Sequence, residues 1–412
     1  MQETQCKRIT NTSIEKKAHF LAVRGSKIIL KDKVLANHVV VFSETIYNIL
    51  PEEEFHEWIE KRQDNIVINI IDHKGYVSPG FIDIHVHGAG GADVMDGSLT
   101  SLQNISKCLI QSGTTGFLAT TMTMDQSQIV KSLDILKSAM QEETATSQEY
   151  GAEILGVHLE GPFISPDYKG AQDAKNIQKP TSKWIRPYLD IIKIITLAPE
   201  MDENFAFIKA MKKEGIVLSM GHTGCDFETA CDAYDAGVEH VTHCFNAMTG
   251  LHHRNPGAVG ATFAKPFTSE LITDGIHVHK GFIEAFVNMK SKDKVIFITD
   301  AMRASFLEEG TYDLGGQKVI VKDGAPRLED GTLAGSVHRM DKALLNVKEN
   351  SSFTLSEIVN MLSLNPARRL GLEKRMGSID KGKDANLILL SNDLRVDEVI
   401  IKGIRKYTGG KS

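Results

Sequence analysis

Short apolar runs recur through the middle of the chain, separated by amphipathic stretches that end in glycine. There are eight such runs, at residues 81–86, 116–120, 154–159, 192–196, 216–220, 240–243, 269–273 and 295–299. They lack the alternation of apolar and polar residues that a half-exposed strand shows, which is typical of strands buried on both faces of a parallel sheet. Eight strand–helix units over about 220 residues predict an α/β fold, a closed (β/α)₈ barrel of the TIM type.

Glycine marks the end of each helix predicted between these strands. The clearest amphipathic stretches, with the glycines that follow them, are 99–111 with Gly113, 204–213 with Gly215, and 227–235 with Gly237. Glycine is favoured there because the residue after a helix commonly has positive φ.

The segment after the eighth strand changes character. Residues 301–336 are dense in Gly and Asp and predict a loop. Residues 340–350 and 354–370 then predict two helices, and Thr354 and Glu357 have the spacing of a capping box at the start of the second.

Both ends of the chain contain short runs rich in valine and isoleucine. They are residues 19–24, 27–30, 38–42 and 66–72 near one end and 387–390 and 398–402 near the other, with a charged stretch at 51–62 that predicts a short helix. Such runs predict small antiparallel β structure. We expect one small β-sandwich domain built from residues 18–78 and 375–412, a barrel at 79–374 and a disordered tail at 1–17.

Composition narrows the range of partners. The 412 residues include 47 Lys and Arg against 53 Asp and Glu, a net charge of −6, which argues against nucleic acid or an anionic membrane as a partner. No stretch approaches the ~20 apolar residues that span a bilayer, and the polar first 17 residues do not resemble a secretory signal. Five cysteines without disulfide or zinc spacing predict reduced thiols and a cytoplasmic protein.

Histidines and carboxylates follow most of the predicted barrel strands. They are His85 and His87 after the first strand, Glu160 after the third, His222 after the fifth, His243 after the sixth, His277 after the seventh and Asp300 after the eighth. The carboxyl ends of barrel strands meet at one mouth, where barrel enzymes place their sites. The His-x-His pair alone is weak support, but the convergence predicts a metal site. Imidazole and carboxylate ligands without cysteine suit Zn²⁺, Fe²⁺, Mn²⁺ or Co²⁺.

Two further features leave alternatives open. His158 shares a strand face with Glu160, so it is either a ligand or, as we prefer, a structural residue. His252, His253 and Arg254 form a basic loop that is either a phosphate-binding loop above the barrel mouth or a solvated charged loop.

The chain resembles the N-acetylglucosamine-6-phosphate deacetylase family of the amidohydrolase superfamily. The matching motifs are Pro-Gly-Phe-Ile-Asp-Ile-His-Val-His-Gly at 79–88, His-Leu-Glu-Gly-Pro-Phe at 158–163, Gly-His-Thr at 221–223, Thr-His-Cys-Phe-Asn-Ala-Met at 242–248, His-Arg-Asn-Pro-Gly at 253–257, Asp-Gly-Ile-His-Val at 274–278, Thr-Asp-Ala-Met at 299–302, Leu-Ala-Gly-Ser at 333–336 and Asn-Pro-Ala at 365–367. They run in family order from about residue 19 to the C-terminal end.

This resemblance implies an activity and a metal centre. The activity is removal of acetate from N-acetylglucosamine 6-phosphate, which gives glucosamine 6-phosphate in amino-sugar catabolism. Glu160, His222 and His243 would hold the main divalent ion, and His85 and His87, with Glu160 bridging, a second.

The resemblance also implies roles for residues around the metal. Asp300 would act as the catalytic acid and base, and His277 would orient the acetamide carbonyl. Asn246, Ala247 and Arg254 would contact the sugar phosphate. Gln172 stands where some members carry a sugar-binding histidine, and we keep it as a substrate-contact residue. The expected assembly is a homodimer.

Two other interpretations remain. Another amidohydrolase, such as a cyclic-amide hydrolase or a deaminase, often bridges its metals with a carboxylated lysine, but the third strand end offers Glu160 and no lysine. A non-catalytic barrel relative acting as an interaction module would typically have lost metal ligands, whereas every expected ligand is present here.

His338 and Arg339 are more polar than the family pattern leads us to expect at their positions.

Overall fold

A computed structural model provides the structure of the protein and describes residues 17–142 and 150–409. The predicted tail, apart from Lys17, lies outside these residues. Among the described residues, no helix has both the length and the apolar character that crossing a membrane requires.

The N-terminal residues form strands on both sides of a small core. The elements are β1 (Ala18–Arg24), β2 (Lys27–Ile29), β3 (Val34–Leu35), β4 (His38–Phe42), β5 (Ile46–Pro51), α1 (Glu52–Glu60), β6 (Ile66–Asp72) and β7 (Tyr76–Pro79). One sheet has the order β5-β4-β1-β6. The expectation of antiparallel pairing was wrong in part, because β6 pairs with β1, and β7 with β2, in parallel. The helix α1 supplies the crossover that brings β6 parallel to β5 and to β1.

Eight parallel strands, β8 and β11 to β17, follow and form one sheet in sequential order. The elements are β8 (Phe81–Val86), β9 (Gly88–Ala89), β10 (Ala92–Asp93), α2 (Leu99–Leu109), β11 (Thr114–Thr121), α3 (Gln126–Glu142), β12 (Glu153–Glu160), β13 (Ile192–Leu197), α4 (Ala206–Lys213), β14 (Val217–Met220), α5 (Phe227–Ala236), β15 (Val238–Val241), α6 (Gly257–Ala264), β16 (Thr268–Ile272), α7 (Ile283–Lys290) and β17 (Val295–Ile298). β9 and β10 pair with each other outside the barrel sheet.

Hydrogen bonds between the first and last strands close the barrel. The Asp300 N–H donates to the carbonyl oxygen of His85 at 2.9 Å. The hydroxyl of Thr299 donates to the carboxylate of Asp83 at 2.5 Å. The predicted (β/α)₈ barrel is confirmed. The predicted helix-ending glycines Gly113, Gly215 and Gly237 also have positive φ, at 82°, 79° and 132°.

The predicted loop at 301–336 was wrong in part, because it contains a three-stranded antiparallel sheet. Its strands are β18 (Gly310–Leu314), β19 (Gln317–Lys322) and β20 (Ala325–Arg327). In β19, buried Val319 and Val321 alternate with exposed Lys318 and Ile320. This alternation is the pattern of a half-buried strand. It was obscured by the high Gly and Asp content around it.

Three helices come next: α8 (Met340–Glu349), α9 (Leu355–Leu362) and α10 (Leu364–Arg369). The predicted capping box at Thr354 and Glu357 is confirmed. The single helix predicted at 354–370 is broken at Ser363, whose φ and ψ are −138° and −62°. Pro366 explains the break, because its ring would clash with the carbonyl of Leu362 in a continuous helix.

The C-terminal strands complete a second sheet. They are β21 (Leu387–Leu390), β22 (Val396–Ile401) and β23 (Ile404–Thr408), and the sheet order is β23-β22-β21-β7-β2-β3. Strands from both ends therefore share one sheet. Its buried residues pack with those of the N-terminal sheet in one cluster that includes Val23, Phe42, Val77 and Leu389. The predicted β-sandwich is confirmed.

An apolar layer fills the barrel interior below its mouth. It contains Ile82, Ile84, Leu118, Leu155, Ile194, Ile272, Ile296 and Ile298, and α10 contributes Ala367. All are almost completely buried. This layer leaves the carboxyl ends of the strands as the part of the interior where polar groups collect.

Asn365 ties α10 to the last barrel strand. Its side-chain NH₂ donates to the carbonyl oxygens of Lys292 and Val295, both at 2.7 Å, and the residue is 4% exposed. Replacing it with alanine leaves two carbonyl groups without these donors. We expect Asn365→Ala to lower the free energy of unfolding by ~2 kcal/mol or more, measured by urea denaturation at matched metal content.

Asn360→Ala is the matched control. Its side chain makes one hydrogen bond, to the carbonyl oxygen of Lys31 at 2.8 Å, in an exposed setting. The expected loss is below ~1 kcal/mol. Equal losses for the two variants would contradict the role given to Asn365.

Candidate active site

A cavity of about 300 Å³ opens at the carboxyl ends of the barrel strands. The predicted site residues that line it are His87, Glu160, Gln172, His222, His243, Asn246, Ala247, His277 and Asp300. Of the other two, His85 lies behind His87, with the two Nε2 atoms 3.4 Å apart. Arg254 is exposed and lies outside the lining.

Several of these residues have an unusual backbone conformation. His222, His243, Ala247 and Asp300 have φ of 48°, 26°, 51° and 50°. Non-glycine residues rarely adopt positive φ, and those that do cluster at functional sites. The strand predicted at 240–243 ends at Val241 instead, so His243 belongs to the turn that follows it. This turn aims its side chain into the mouth.

Glu160, His222 and His243 form one compact group. Oε1 of Glu160 lies 3.2 Å from Nε2 of His222 and 3.0 Å from Nε2 of His243. The two Nε2 atoms are 3.2 Å apart. Nδ1 of His222 donates to the carbonyl oxygen of Tyr168 at 3.0 Å, so its Nε2 lone pair faces the group. Ligand atoms at ~2.1 Å from a tetrahedral ion are about 3.4 Å apart, close to this spacing.

A second group lies beside the first. Nε2 of His87 is 3.2 Å from Oδ1 of Asp300, and Nε2 of His85 is 3.5 Å from the same oxygen. Glu160 joins the two groups, because Oε1 lies 3.4 Å from His85 and Oε2 lies 3.3 Å from His87. The donor set of both groups, imidazole and carboxylate, suits a divalent metal ion.

The buried carboxylates make the site favourable for positive charge. Burial lowers the pKa of His87, but hydrogen bonds to Asp300 and Glu160 outweigh it and raise that pKa to about 9. Burial would raise the pKa of Glu160, yet the charges of His85 and His222 hold it well below its ordinary value. Carboxylates that stay ionised when buried require a cation nearby, which a bound metal provides.

Asp274 holds His277 at the cavity wall. Its carboxylate accepts the Nδ1–H of His277 at 2.6 Å and the backbone N–H groups of Ile276 and His277. Burial opposes ionisation of Asp274, but these bonds lower its pKa to about 2. The pKa of His277 is raised by the same partner, against the effect of burial. Nε2 of His277 is therefore left for a group in the cavity.

Gln172 contacts the metal-ligand group as well as the cavity. Its Oε1 accepts the N–H of Thr123 at 2.7 Å, and its Nε2 donates to Oε2 of Glu160 at 3.0 Å. Both ends of the amide are thus engaged by the protein. The structure gives Gln172 a supporting contact to Glu160 that the sequence did not predict.

His158 has the structural role that we preferred. Its Nδ1 lies 2.9 Å from the carbonyl oxygen of Ile84, and its Nε2 lies 2.7 Å from the hydroxyl of Thr196. Both ring nitrogens are occupied, and burial lowers the pKa of this histidine to about 3. It is a neutral hydrogen-bonding residue below the mouth.

Glu270 is a site residue that the sequence reasoning missed. It lies in β16, is completely buried and contacts both His85 and His240. The signal was a carboxylate next to Leu271 and Ile272 in a strand predicted to be buried on both faces, which is rare unless the charge is paired.

Known proteins resemble the chain over nearly its whole length. The amidohydrolase family description matches residues 76–405. An N-acetylglucosamine-6-phosphate deacetylase of Bacillus subtilis is 38% identical, over 94% of this chain and 97% of the relative. An N-acetylgalactosamine-6-phosphate deacetylase of Escherichia coli O157:H7 is 34% identical, over 79% of this chain and 86% of the relative.

A solved structure shows the same fold. The crystal structure of an N-acetylglucosamine-6-phosphate deacetylase from Pasteurella multocida superimposes with a TM-score of 0.86 at 28% identity, and the match covers 95% of this chain and 100% of that one. The resemblance read from the motifs is confirmed. The chain belongs to the amidohydrolase family and, within it, to the N-acetylglucosamine-6-phosphate deacetylases.

Proposed function

We propose that this protein is a metal-dependent hydrolase that converts N-acetylglucosamine 6-phosphate to glucosamine 6-phosphate and acetate in amino-sugar catabolism. The observation that carries the proposal is the placement of Asp300 against a buried group of metal-ligand type, within one cavity. The names of the relatives support the sugar phosphate as substrate.

Glu160, His222 and His243 would hold a divalent ion, Zn²⁺, Fe²⁺, Mn²⁺ or Co²⁺. His85 and His87 would hold a second ion beside it. A bound ion of this kind lowers the pKa of water and polarises a carbonyl group.

Asp300 is the proton carrier in this proposal. Burial would raise its pKa, but positively charged His85 and His87 lower it when no ion is bound. A cation held by these histidines would have the same effect, so the carboxylate is ionised and able to accept a proton. It takes the proton of the attacking water and delivers it to the departing nitrogen, as a general base and then a general acid.

His277 orients the acetamide. Asp274 fixes its Nδ1–H, so a proton on Nε2 can be donated to the carbonyl oxygen of the substrate. Negative charge develops on that oxygen during attack, and a donor already held in position stabilises it without reorganisation.

The sugar and its phosphate need separate contacts. Asn246, Ala247 and Gln172 line the cavity and would contact the sugar. The described lining contains no Lys or Arg, so we look to the rim for a cation that binds the phosphate. Arg254, next to His253 in the exposed loop, is our candidate.

We also propose that the protein is a homodimer and that it is located in the cytoplasm. Cys108, Cys225, Cys231 and Cys244 are free thiols, which is the usual state in a reducing compartment.

Removing the charge of Glu160 tests the metal site. Glu160→Gln should lose bound metal and activity together, because the amide is a poor ligand and a neutral one. Glu153→Gln changes the first residue of the same strand, far from the mouth, and should keep full metal content. Metal content, from elemental analysis, and turnover are measured for both variants. A Glu160→Gln protein with normal metal content and turnover would refute the assignment.

A substrate panel tests the reaction. The panel contains N-acetylglucosamine 6-phosphate, N-acetylgalactosamine 6-phosphate and the unphosphorylated form of each sugar. Acetate release should be fastest from N-acetylglucosamine 6-phosphate.

Asp300→Asn should keep the fold and bound metal but lower kcat by ~10² or more, the scale of general acid–base catalysis. A near-normal kcat in Asp300→Asn would show that Asp300 is not the proton carrier. Absence of acetate release from every N-acetyl sugar of the panel would refute the proposed function.

Arg254→Ala tests the phosphate contact. Arginine binds phosphate by two parallel charge-assisted hydrogen bonds, so its loss should lower kcat/KM for the phosphorylated sugar roughly 10- to 100-fold, mainly through KM. The unphosphorylated sugar never makes this contact and should be little affected. An equal loss for both sugars would indicate collapse of the loop, and no loss for either would place the phosphate elsewhere.

A further inference from the structure

Glu270 is a carboxylate inside the barrel wall. It lies in the middle of β16, and its side chain is 0% exposed. Burying an ionised carboxylate costs several kcal/mol unless hydrogen bonds and neighbouring positive charge compensate. The contacts of this side chain therefore indicate its role.

Three donors surround the Glu270 carboxylate. Oε2 accepts the Nδ1–H of His85 at 2.9 Å and the backbone N–H of His243 at 3.0 Å. Oε1 accepts the Nε2–H of His240 at 3.2 Å. The bond to His85 is the one that reaches a metal-ligand side chain.

His85 has two nitrogens that face different neighbours. Nε2 faces Glu160 and Asp300 in the mouth, at 3.4 and 3.5 Å. Nδ1 faces Glu270, and His85, His158 and Glu270 also place ligand-type atoms within 4.8 Å of one another. Both nitrogens of His158 are already engaged by Ile84 and Thr196, so this deeper group is a hydrogen-bonded network and the mouth is the metal site.

We propose that Glu270 is a positioning residue for the second metal ion. It keeps the proton of His85 on Nδ1, directs Nε2 and its lone pair to the mouth, and makes the imidazole a stronger ligand by placing a negative charge behind it. The inference rests on the two metal groups of the proposed function. It adds that occupancy of the His85–His87 group depends on a residue that touches neither substrate nor metal.

The conservative variant separates charge from packing. Glu270→Gln can still accept from His85 and His243 through Oε1. Its NH₂ then faces His240, which can accept by moving its own proton to the nitrogen beside the Thr268 hydroxyl, 2.7 Å away. The variant therefore loses the charge while the hydrogen bonds remain satisfiable.

The experiment titrates metal-free, full-length protein with Zn²⁺ alone. Calorimetry measures the affinity of each equivalent, and elemental analysis measures the number of ions bound. Wild type should bind two equivalents. Glu270→Gln should bind the first normally and the second with roughly 10- to 100-fold lower affinity, the usual effect of losing a partner of a ligating histidine. Glu239→Gln, a glutamate of the neighbouring strand whose side chain pairs with Lys212 at 2.8 Å, should bind both equivalents like wild type.

A double variant tests whether Glu270 acts through His85. His85→Gln should weaken the second equivalent on its own, and adding Glu270→Gln should cause no further loss, because the two residues form one unit. A further loss in the double variant would overturn the proposal. If Glu270→Gln does not fold, Glu270→Asp replaces it, with the same selective loss expected because the shorter side chain withdraws from His85.

The remaining outcomes also decide. Two unchanged equivalents in Glu270→Gln, or a wild type that binds only one, would overturn the inference, as would failure of both Glu270 variants to fold. No sugar enters this experiment. A protein that shows the selective loss but releases no acetate would therefore refute the proposed function and leave this inference standing.

Discussion

Atoms with lone pairs face one another across the mouth of this barrel, and the rest of the site is arranged around that fact. Glu160 stands at the centre, with Oε1 within 3.4 Å of three imidazole nitrogens and Oε2 within 3.3 Å of a fourth. The described cavity lining contains no lysine or arginine to balance these groups. Such an array is stable only with protons or a metal ion between its members, because buried charges must be paired.

The barrel supplies the rigidity that this arrangement needs. The isoleucine-rich layer below the mouth fixes the strand ends, and hydrogen bonds between Asp83, His85, Thr299 and Asp300 close the ring beside the site. His222, His243 and Asp300 follow their strands in backbone conformations of positive φ, which the surrounding structure must hold in place. Sites supported by rigid elements hold their side chains more precisely than sites on loops alone.

Departures from the predicted secondary structure have local physical causes. The helix predicted at 354–370 breaks because Pro366 cannot continue it, a signal present in the sequence but outweighed by the apolar periodicity. The sheet inside 301–336 was missed because glycines and aspartates suggested a loop, although Val319 and Val321 alternate as in a strand. Leu314, at the end of its first strand, forms part of the cavity wall, so this error concerned a part of the site.

The sequence by itself determined the barrel, the sandwich built from both ends and the convergence of His87, Glu160, His222, His243, His277 and Asp300. It could do so because apolar periodicity sets the strands, and parallel strands place their carboxyl ends together. Only the tertiary structure decided which side chains touch. It placed Arg254 outside the cavity lining, engaged Gln172 with Glu160 and set Glu270 behind His85. The two hydrogen bonds, Gln172 to Glu160 and His85 to Glu270, join residues 12 and 185 positions apart in the sequence. Contacts of this kind follow from packing and hydrogen bonding that no local pattern encodes.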